Sequence, residues 1–438
     1  MTDQERVIQH GPKTVFESPR ERAILVGVER PNAEWSLASS LAELERLADT
    51  AGADTVATTT QKLEAPNPRT FVGSGKAEEI ASLCRSYAAD IVIFDDELSP
   101  SQQSNLEKMV GKDVKVIDRT ALILDIFALH ASSKEGRLQV KLAQNQYLLP
   151  RLRGMWAHLA SNRMGGGVGS RFGEGESQLE VDRRLVRKRI TSIKRELEEV
   201  SRYRSLQREK RYSSGIFKVA LAGYTNAGKS SLLNTLTNSE VLSYDKLFAT
   251  LDSTTRQLQL SSGRKVTLTD TVGFIQKLPT TLVEAFKSTL DEINGSDLIL
   301  QVVDSTDENF IKQIDTVNEI LEQIGADTIS RVEVFNKIDA LQKDELEALR
   351  KRFPYAVFTS TITKEGISTL IQRIGSVASA QEEQIEVLVP FNRGDLVSFA
   401  HQNCHILHEE YTEKGTRISL RIAPVFKAKF EETIIEPQ

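Results

Sequence analysis

The sequence predicts a multidomain α/β protein: an N-terminal α/β domain, a long antiparallel helical hairpin with a glycine-rich tip, a second α/β domain and a small C-terminal α+β domain. In two regions, apolar strand-like runs alternate with helix-like stretches, which is typical of a mostly parallel sheet with helices on both faces. Between them lies a strand-free stretch rich in Leu, Gln, Lys, Arg and Glu. At 438 residues the chain is long enough for about three domains.

Composition excludes several classes of protein. Hydrophobic residues make up 39% and charged residues 27%, as in folded proteins rather than disordered or fibrous ones. No apolar run approaches the ~20 residues that a membrane-spanning helix needs, and the first residues lack an apolar signal core. Cys84 and Cys404, the two cysteines, suggest no disulfide framework. We expect a cytoplasmic protein without a transmembrane segment, compatible with a membrane-associated fraction, and a monomer when free.

The two ends of the chain carry the first and last predicted domains. A polar extension, residues 1–20, precedes an α/β domain at 21–120, where runs such as RAILVGVE and DIVIFDD alternate with helix-like stretches. The α+β domain at 384–430 is predicted from the run EQIEVLVP, a helix-like stretch and a hairpin that turns at Lys414-Gly415.

Residues 73–76 of the first domain read Gly-Ser-Gly-Lys. The segment lacks the full spacing of a phosphate-binding loop, so we favour a turn at the start of a helix. The alternative is a second nucleotide site, for example for ATP.

The predicted hairpin, residues 121–212, is the electrostatic outlier of the chain. Residues 134–214 contain 19 basic and 9 acidic residues, a net charge of +10, whereas the whole chain carries −5. The densest cationic cluster consists of Arg183, Arg184, Arg187, Lys188 and Arg189. RNA phosphates are a natural partner for this cluster, and the alternative is a solvated helix face paired with Glu196, Glu198 and Glu199.

The hairpin tip, residues 163–176, contains six glycines, which make a regular element improbable. Arg163, Arg171 and Phe172 lie among these glycines. Such a loop suits insertion into folded RNA, where an aromatic ring or a guanidinium plane stacks on splayed bases.

The second α/β domain, residues 216–380, contains the first of three motifs. Residues 223–230 read G-x-x-x-x-G-K-S directly after the strand-like run FKVALA. The glycines let backbone N–H groups turn around phosphate oxygens, the lysine meets the β- and γ-phosphates, and the serine ligates Mg²⁺. The predicted phosphate-binding residues are Gly223, Tyr224, Thr225, Asn226, Ala227, Gly228, Lys229, Ser230 and Ser231.

The second motif, Asp270-Thr271-Val272-Gly273, follows the strand-like run KVTLT. At the end of a strand, Asp270 can hold Mg²⁺ through water and the Gly273 N–H can sense a γ-phosphate. The next residue is Phe274, where Ras-like enzymes carry a glutamine that orients the attacking water. Since phenylalanine cannot orient water, we favour a slow hydrolase that a partner activates; the alternative is that another group positions the water.

The third motif, Asn336-Lys337-Ile338-Asp339, ends the strand-like run RVEVF. A carboxylate there accepts hydrogen bonds from the adjacent N–H and NH₂ of guanine. Adenine would present an acceptor instead and leave a buried polar group unpaired, at a cost of about 1 to 3 kcal/mol. The sequence therefore predicts that GTP is preferred over ATP.

These motifs resemble the translation-factor branch of P-loop GTPases and, more closely, the HflX family of ribosome-associated GTPases. The similarity covers about residues 20–425 and is densest at 67–76, 118–120, 138–144, 248–256 and 270–275. By this resemblance the switch residues are Phe248, Ala249, Thr250, Leu251 and Asp252, with Asp270, Thr271, Val272 and Gly273.

The resemblance also implies further contacts with the nucleotide and its metal. Thr250 is expected to join Ser230 in the Mg²⁺ shell. Ser360, Thr361 and Ile362 are expected to contact guanine, with Thr361 in place of the usual alanine.

The resemblance implies a GTPase whose hairpin enters the large ribosomal subunit near the peptidyl-transferase region. GTP binding and hydrolysis would then drive splitting or recycling of stalled or idle 70S ribosomes under stress. The residues alone support a GTPase with an RNA-binding arm. Two alternatives stay open: a ribosome-assembly or RNA chaperone with a largely structural nucleotide, and an ATP-driven RNA-remodelling enzyme that uses the N-terminal domain.

Overall fold

The computed structural model divides the chain into two compact units, residues 1–118 and 119–438. The described residues are 20–31, 33–161, 172–212, 215–237, 247–248, 251, 253–260, 264–279, 282 and 286–435. The side chains of 153–161, 172–179, 203–212 and 287–289 lie outside this description.

The first unit is built on a four-stranded parallel sheet in the order β2-β1-β3-β4. Its strands are β1 (Glu21–Glu29), β2 (Ala53–Lys62), β3 (Ile91–Phe94) and β4 (Lys115–Asp118). Its helices are α1 (Leu37–Ala51), α2 (Ser74–Tyr87) and α3 (Pro100–Val110). Every residue of β3 is buried, as expected for an inner strand of a parallel sheet. The predicted N-terminal α/β fold is confirmed.

The second unit begins with three helices: α4 (Arg119–His130), α5 (Lys134–Ser161) and α6 (Phe172–Tyr212). The predicted hairpin, residues 121–212, begins with two helices and not one, because α4 and α5 are separate. The Ser133 hydroxyl accepts a hydrogen bond from the Gly136 N–H at 2.8 Å, which caps the start of α5. The antiparallel pair α5 and α6 packs through Leu138, Leu142 and Ile193.

The predicted extent of the glycine-rich tip is partly wrong. Helix α6 begins at Phe172, so Gly173 and Gly175 are helical although both were predicted to belong to the loop. Each glycine in a helix costs about 1 kcal/mol relative to alanine, and tertiary context commonly overrides such a propensity.

The middle of the second unit is a six-stranded sheet in the order β10-β9-β8-β5-β7-β6, in which only β6 is antiparallel to its neighbour. Its strands are β5 (Phe217–Gly223), β6 (Thr254–Gln259), β7 (Lys265–Asp270), β8 (Leu298–Asp304), β9 (Arg331–Asn336) and β10 (Val357–Phe358). The helices described here are α7 (Lys229–Thr237), α8 (Lys287–Asn294), α9 (Phe310–Gln323), α10 (Lys343–Arg352) and α11 (Ile367–Ala380). The mostly parallel sheet is as predicted, whereas β6 was not anticipated.

The chain ends in a small α+β domain, as predicted. Its elements are β11 (Glu383–Val389), α12 (Gly394–Asn403), β12 (His405–Thr412), β13 (Gly415–Ile422) and α13 (Pro424–Phe430). The strands form an antiparallel sheet in the order β11-β13-β12, and the hairpin turns at the expected Lys414-Gly415. Across all the described residues, we find no helix that combines the length and the apolar character needed to cross a membrane.

Candidate nucleotide site

The carboxyl ends of four neighbouring strands meet at one edge of the central sheet. Asp304 at the end of β8 lies in register with Asn336 at the end of β9, and Asp270 at the end of β7 lies in register with Leu221 of β5. In open α/β sheets this edge is where ligands bind. Each of the three sequence motifs follows one of these strands, so the topology brings them together.

The phosphate loop, residues 223–228, has a backbone that depends on its glycines and on the guanine motif. Gly228 has φ +90°, and a Cβ at this position would lie 2.3 Å from Asn336 Nδ2. That amide nitrogen donates a hydrogen bond to the Ala227 carbonyl at 3.1 Å. Any side chain at position 228 would displace this bond, so Asn336 supports the phosphate loop.

Lys229 begins α7 and is only 6% exposed. Its Nζ donates hydrogen bonds to the carbonyls of Gly223 at 3.0 Å and Tyr224 at 2.8 Å. Burial lowers the pKa of Lys229 to about 8, and the nearby Asp270 opposes that shift. Anionic phosphate oxygens would favour the charged ammonium more strongly than these two neutral carbonyls do.

Ser230 and Asp270 bring a hydroxyl and a carboxylate together. The Ser230 Oγ donates a 2.5 Å hydrogen bond to Asp270 Oδ2, and the Asp270 side chain is fully buried. Oxygen ligands of these two kinds are those that Mg²⁺ prefers, so the residues fit the ion that the motifs predict. Thr250, the other predicted ligand, lies outside the described residues, as do Ala249 and Asp252.

The segment after Asp270 is attached directly to the phosphate loop. Thr225 N–H donates to the Phe274 carbonyl at 2.7 Å, and Phe274 N–H donates to the Gly223 carbonyl at 3.1 Å. A Cβ on Gly273 would lie 2.8 Å from Thr225 Cγ2, so only glycine allows this approach. Farther along, the Gln276 N–H donates to the Tyr224 hydroxyl at 2.6 Å.

The Phe274 ring belongs to the hydrophobic core. It is 1% exposed and packs in a cluster that includes Leu290 and Ile293 of α8. A ring in this position anchors its segment and has no polar atom with which to orient water. The Phe274 side chain, next in sequence to Gly273, therefore has a structural role.

The remaining residues of the switch motif are also fixed by hydrogen bonding or burial. The Thr271 hydroxyl donates to the Leu221 carbonyl at 2.7 Å, and Val272 is buried. Phe248 and Leu251, the described residues of the other switch segment, are 2% exposed each.

The predicted guanine-binding carboxylate is exposed and preformed. Asp339 lies in a short 3₁₀ turn after β9 and accepts a 2.5 Å hydrogen bond from the Ser360 hydroxyl at its Oδ1. The Ser360 oxygen in turn accepts the N–H groups of Ile362 at 3.2 Å and Thr363 at 3.0 Å. Ser360 is thus a buried strut between the two predicted base-binding segments, while Ile362 is 80% exposed and Thr361 is half-buried.

Lys337 is positioned by a residue that sequence reasoning missed. Its backbone is left-handed, with φ +66°, and its Nζ forms a 2.7 Å ion pair with Asp304. Asp304 ends a strand-like run in the same way as Asp270, so the same signal could have identified it. The Tyr224–Gln276 contact had no such signal, because it joins two loops distant in sequence.

The cationic cluster of α6 faces away from the hairpin core. Val186 is buried, whereas Arg184, Arg187, Lys188 and Arg189 are exposed and Arg183 is half-buried. Among the described side chains of the hairpin, none of these five cations forms an ion pair with Glu196, Glu198, Glu199 or another carboxylate, which disfavours the alternative of a paired helix face at this cluster. Arg163 and Arg171 lie outside the described residues, and Phe172 is described only as the first residue of α6.

Residues 73–76 form the start of a helix. Helix α2 begins at Ser74, and the Lys76 Nζ forms an ion pair with Glu79 at 2.7 Å and donates to the Thr59 hydroxyl at 3.2 Å. The helix-start interpretation is confirmed, and the Lys76 ammonium already has two partners.

Three family models match consecutive parts of the chain. They are described as GTP-binding GTPase N-terminal, at residues 38–128, GTP-binding GTPase middle region, at 130–211, and 50S ribosome-binding GTPase, at 218–337. Together these matches follow the order of the first α/β domain, the hairpin and the nucleotide site.

Curated relatives match almost the whole chain. The GTPase HflX of Caldanaerobacter subterraneus is 44% identical over 417 residues, 95% of this chain and 94% of that protein. The GTPase HflX of Escherichia coli K12 is 42% identical over 384 residues, 87% of this chain and 89% of that protein. A solved GTP-binding protein from Sulfolobus solfataricus in complex with GDP is 24% identical, with a TM-score of 0.43 over 82% of this chain and 99% of that one. The identities to the curated relatives show that this chain belongs to the HflX family of GTPases.

Proposed function

We propose that this GTP hydrolase couples GTP binding and hydrolysis to binding of the large ribosomal subunit, and that it thereby splits or recycles stalled or idle 70S ribosomes in the cytoplasm under stress. The observation that carries the proposal is the cationic cluster of α6, whose described members Arg183, Arg184, Arg187, Lys188 and Arg189 have no carboxylate partner. Unpaired cations on an exposed helix face are suited to RNA phosphates. The family model on residues 218–337, described as a 50S ribosome-binding GTPase, supports ribosomal RNA as the partner.

Each half of the site has its own role in binding the nucleotide. The phosphate loop and Lys229 hold the phosphates, while Asn336, Asp339 and the strut Ser360 select guanine. Ser230 and Thr250 would bind Mg²⁺ directly and Asp270 through water. When bound, the ion would neutralise charge on the phosphates.

We further propose that hydrolysis is slow until the ribosome rearranges the switch segments. The ring of Phe274 lies in the core, so the position that carries the water-orienting glutamine in Ras-like enzymes supplies no polar group here. Binding of a partner that reorders a switch segment is a common way to accelerate such a site.

Single-turnover GTP hydrolysis, with and without large subunits, tests the proposal. Large subunits should accelerate hydrolysis by the unmodified protein. Replacing Arg184, Arg187 and Lys188 by glutamine should weaken this stimulation and leave the basal rate unchanged. Replacing three exposed cations of α10, Lys343, Lys351 and Arg352, by glutamine is the matched control and should preserve stimulation.

A rate that large subunits do not change would contradict the switch model. It would favour a ribosome-assembly or RNA chaperone whose nucleotide is mainly structural. Equal loss of stimulation in the α6 and α10 variants would show that net charge, and not the α6 cluster, is what matters.

A further inference from the structure

A three-ring aromatic contact joins α4 to the segments that flank the nucleotide site. The Phe127 ring centroid lies 4.6 Å from that of Phe248 and 4.7 Å from that of Phe286, with interplanar angles of 80° and 74°. The three side chains are 1%, 2% and 4% exposed. These are edge-to-face contacts between buried rings, the geometry in which aromatic pairs attract beyond simple burial.

Phe248 has an unusual backbone conformation. Its φ is +56°, in the left-handed region that a bulky side chain rarely adopts. Such conformations persist only where the surrounding structure determines them and are concentrated at functional sites. The ring of Phe248 packs against Phe127, so the contact with α4 is a candidate for what holds this backbone.

The two partners of Phe127 lead to different parts of the nucleotide site. Phe248 is two residues before Thr250, the proposed Mg²⁺ ligand. Phe286 directly precedes α8, whose Leu290 packs in the same cluster as Phe274. One ring from outside the six-stranded sheet therefore contacts a residue of one predicted switch segment and a residue that precedes a helix packed with Phe274.

Helix α4 is itself a firm support for this ring. Its residues Leu122, Ile123, Leu124 and Ile126 are at most 3% exposed, so the helix is fixed by packing. Phe127 also accepts a backbone hydrogen bond from Ala131, in the short link to α5, at 2.9 Å.

We propose that Phe127 is a positioning residue for the GTPase site: its ring holds Phe248, a residue of the predicted switch segment, in the backbone conformation that the triphosphate-bound state uses. The inference rests on the proposed nucleotide site. GDP lacks the γ-phosphate that this segment is expected to enclose, so the contribution of Phe127 applies to GTP and not to GDP.

The test compares the affinities of the full-length chain for fluorescent GDP and for a fluorescent non-hydrolysable GTP analogue, both with Mg²⁺. Phe127→Leu should weaken analogue binding by about 2- to 12-fold, the factor that corresponds to an edge-to-face pair, and leave GDP binding unchanged. Phe248→Asn removes the same pair while keeping a residue that tolerates positive φ, and should give a similar shift.

Two further variants separate positioning from general destabilisation. The double variant Phe127→Leu/Phe248→Asn should bind the analogue no more weakly than the weaker single variant, because each single change already removes the contact between Phe127 and Phe248. Phe430→Leu alters a fully buried ring in the C-terminal domain, and should lower the melting temperature without changing the ratio of the two affinities.

The inference is overturned if both single variants keep the wild-type affinity ratio, if their effects add in the double variant, or if analogue binding becomes tighter. If the unmodified chain binds neither nucleotide, the proposed nucleotide site has failed, which is a different result from an unchanged ratio.

Discussion

The base-binding and phosphate-binding halves of the nucleotide site differ in how ready they are for a ligand. In the base half, Ser360 already orients the exposed carboxylate of Asp339. In the phosphate half, Lys229 is bonded to two loop carbonyls and the Ser230 hydroxyl to Asp270. On the proposed assignment, guanine would meet a preformed surface, whereas phosphates would have to displace hydrogen bonds that the loop makes within the protein.

The largest effect should come from the phosphate half. Lys229→Ala removes the only charged donor that the phosphate-loop motif supplies to the β- and γ-phosphates. Since each hydrogen bond to a charged group contributes about 1.5 to 3 kcal/mol, GTP affinity should fall by about 100-fold or more. Isothermal calorimetry with GTP measures the loss.

The same variant tests the ATP-driven alternative. ATPase activity that survives Lys229→Ala would place ATP turnover elsewhere in the chain and support an RNA-remodelling enzyme that uses the N-terminal domain. Lys343→Ala, an exposed lysine of α10, is the control and should retain wild-type GTP binding.

Phe274→Gln tests whether the phosphate half could gain a water-orienting group by simple substitution. We expect it to lower the free energy of unfolding by about 3 kcal/mol, because a core ring is lost and an amide is buried in its place. Intrinsic GTP hydrolysis should not accelerate, since the side chain at this position points into the core. Urea denaturation and single-turnover hydrolysis measure the two effects, and a marked rate increase would mean that position 274 can reach the site.

Asp339→Asn should weaken recognition of the base and leave the phosphate contacts intact. Replacing an acceptor by an amide should weaken GTP binding by about 2 kcal/mol and improve binding of xanthosine triphosphate, whose base presents an acceptor. Competition binding measures the preference. Asp344→Asn, five residues on and exposed, is the control. Undiminished preference for GTP would show that the base is recognised elsewhere.

The smallest effect should come from the strut of the base half. Ser360→Ala removes one hydrogen bond to Asp339 and leaves two backbone N–H groups without this acceptor. GTP and GDP should both bind more weakly by about 1 kcal/mol, with their ratio unchanged. A selective loss for GTP would contradict the assignment of Ser360 to the base half.

The sequence predicted much of the site because each motif follows a recognisable apolar strand. The positions of Gly228, Lys229, Asp270 and Asn336 follow from motif and topology together. Strand β6 escaped prediction because TTRQLQ is polar, with only Leu258 of the six residues buried. Its register depends on pairing with β7, which is not visible in its own sequence.

Other features could not be predicted because they arise from side chains that are distant in sequence. The contact of Phe127 with Phe248 joins residues from two predicted domains. The sequence around either residue does not show whether its ring belongs to the core or supports a switch segment. The hairpin shows the same limit. Charge clustering predicted a cationic face, but only the structure showed that the five described cations of the cluster at 183–189 lack carboxylate partners.

Sedimentation of 70S ribosomes tests the central claim most directly, namely that a bound guanosine triphosphate lets the cationic hairpin act on the ribosome. Ribosomes are incubated with the full-length protein and GTP, GDP or a non-hydrolysable analogue, then separated on a sucrose gradient. We predict that GTP and the analogue convert 70S particles to subunits, with the protein on the large subunit, and that GDP does not. The same extent of splitting with GDP, or no association of the protein with large subunits in any state, would contradict the account.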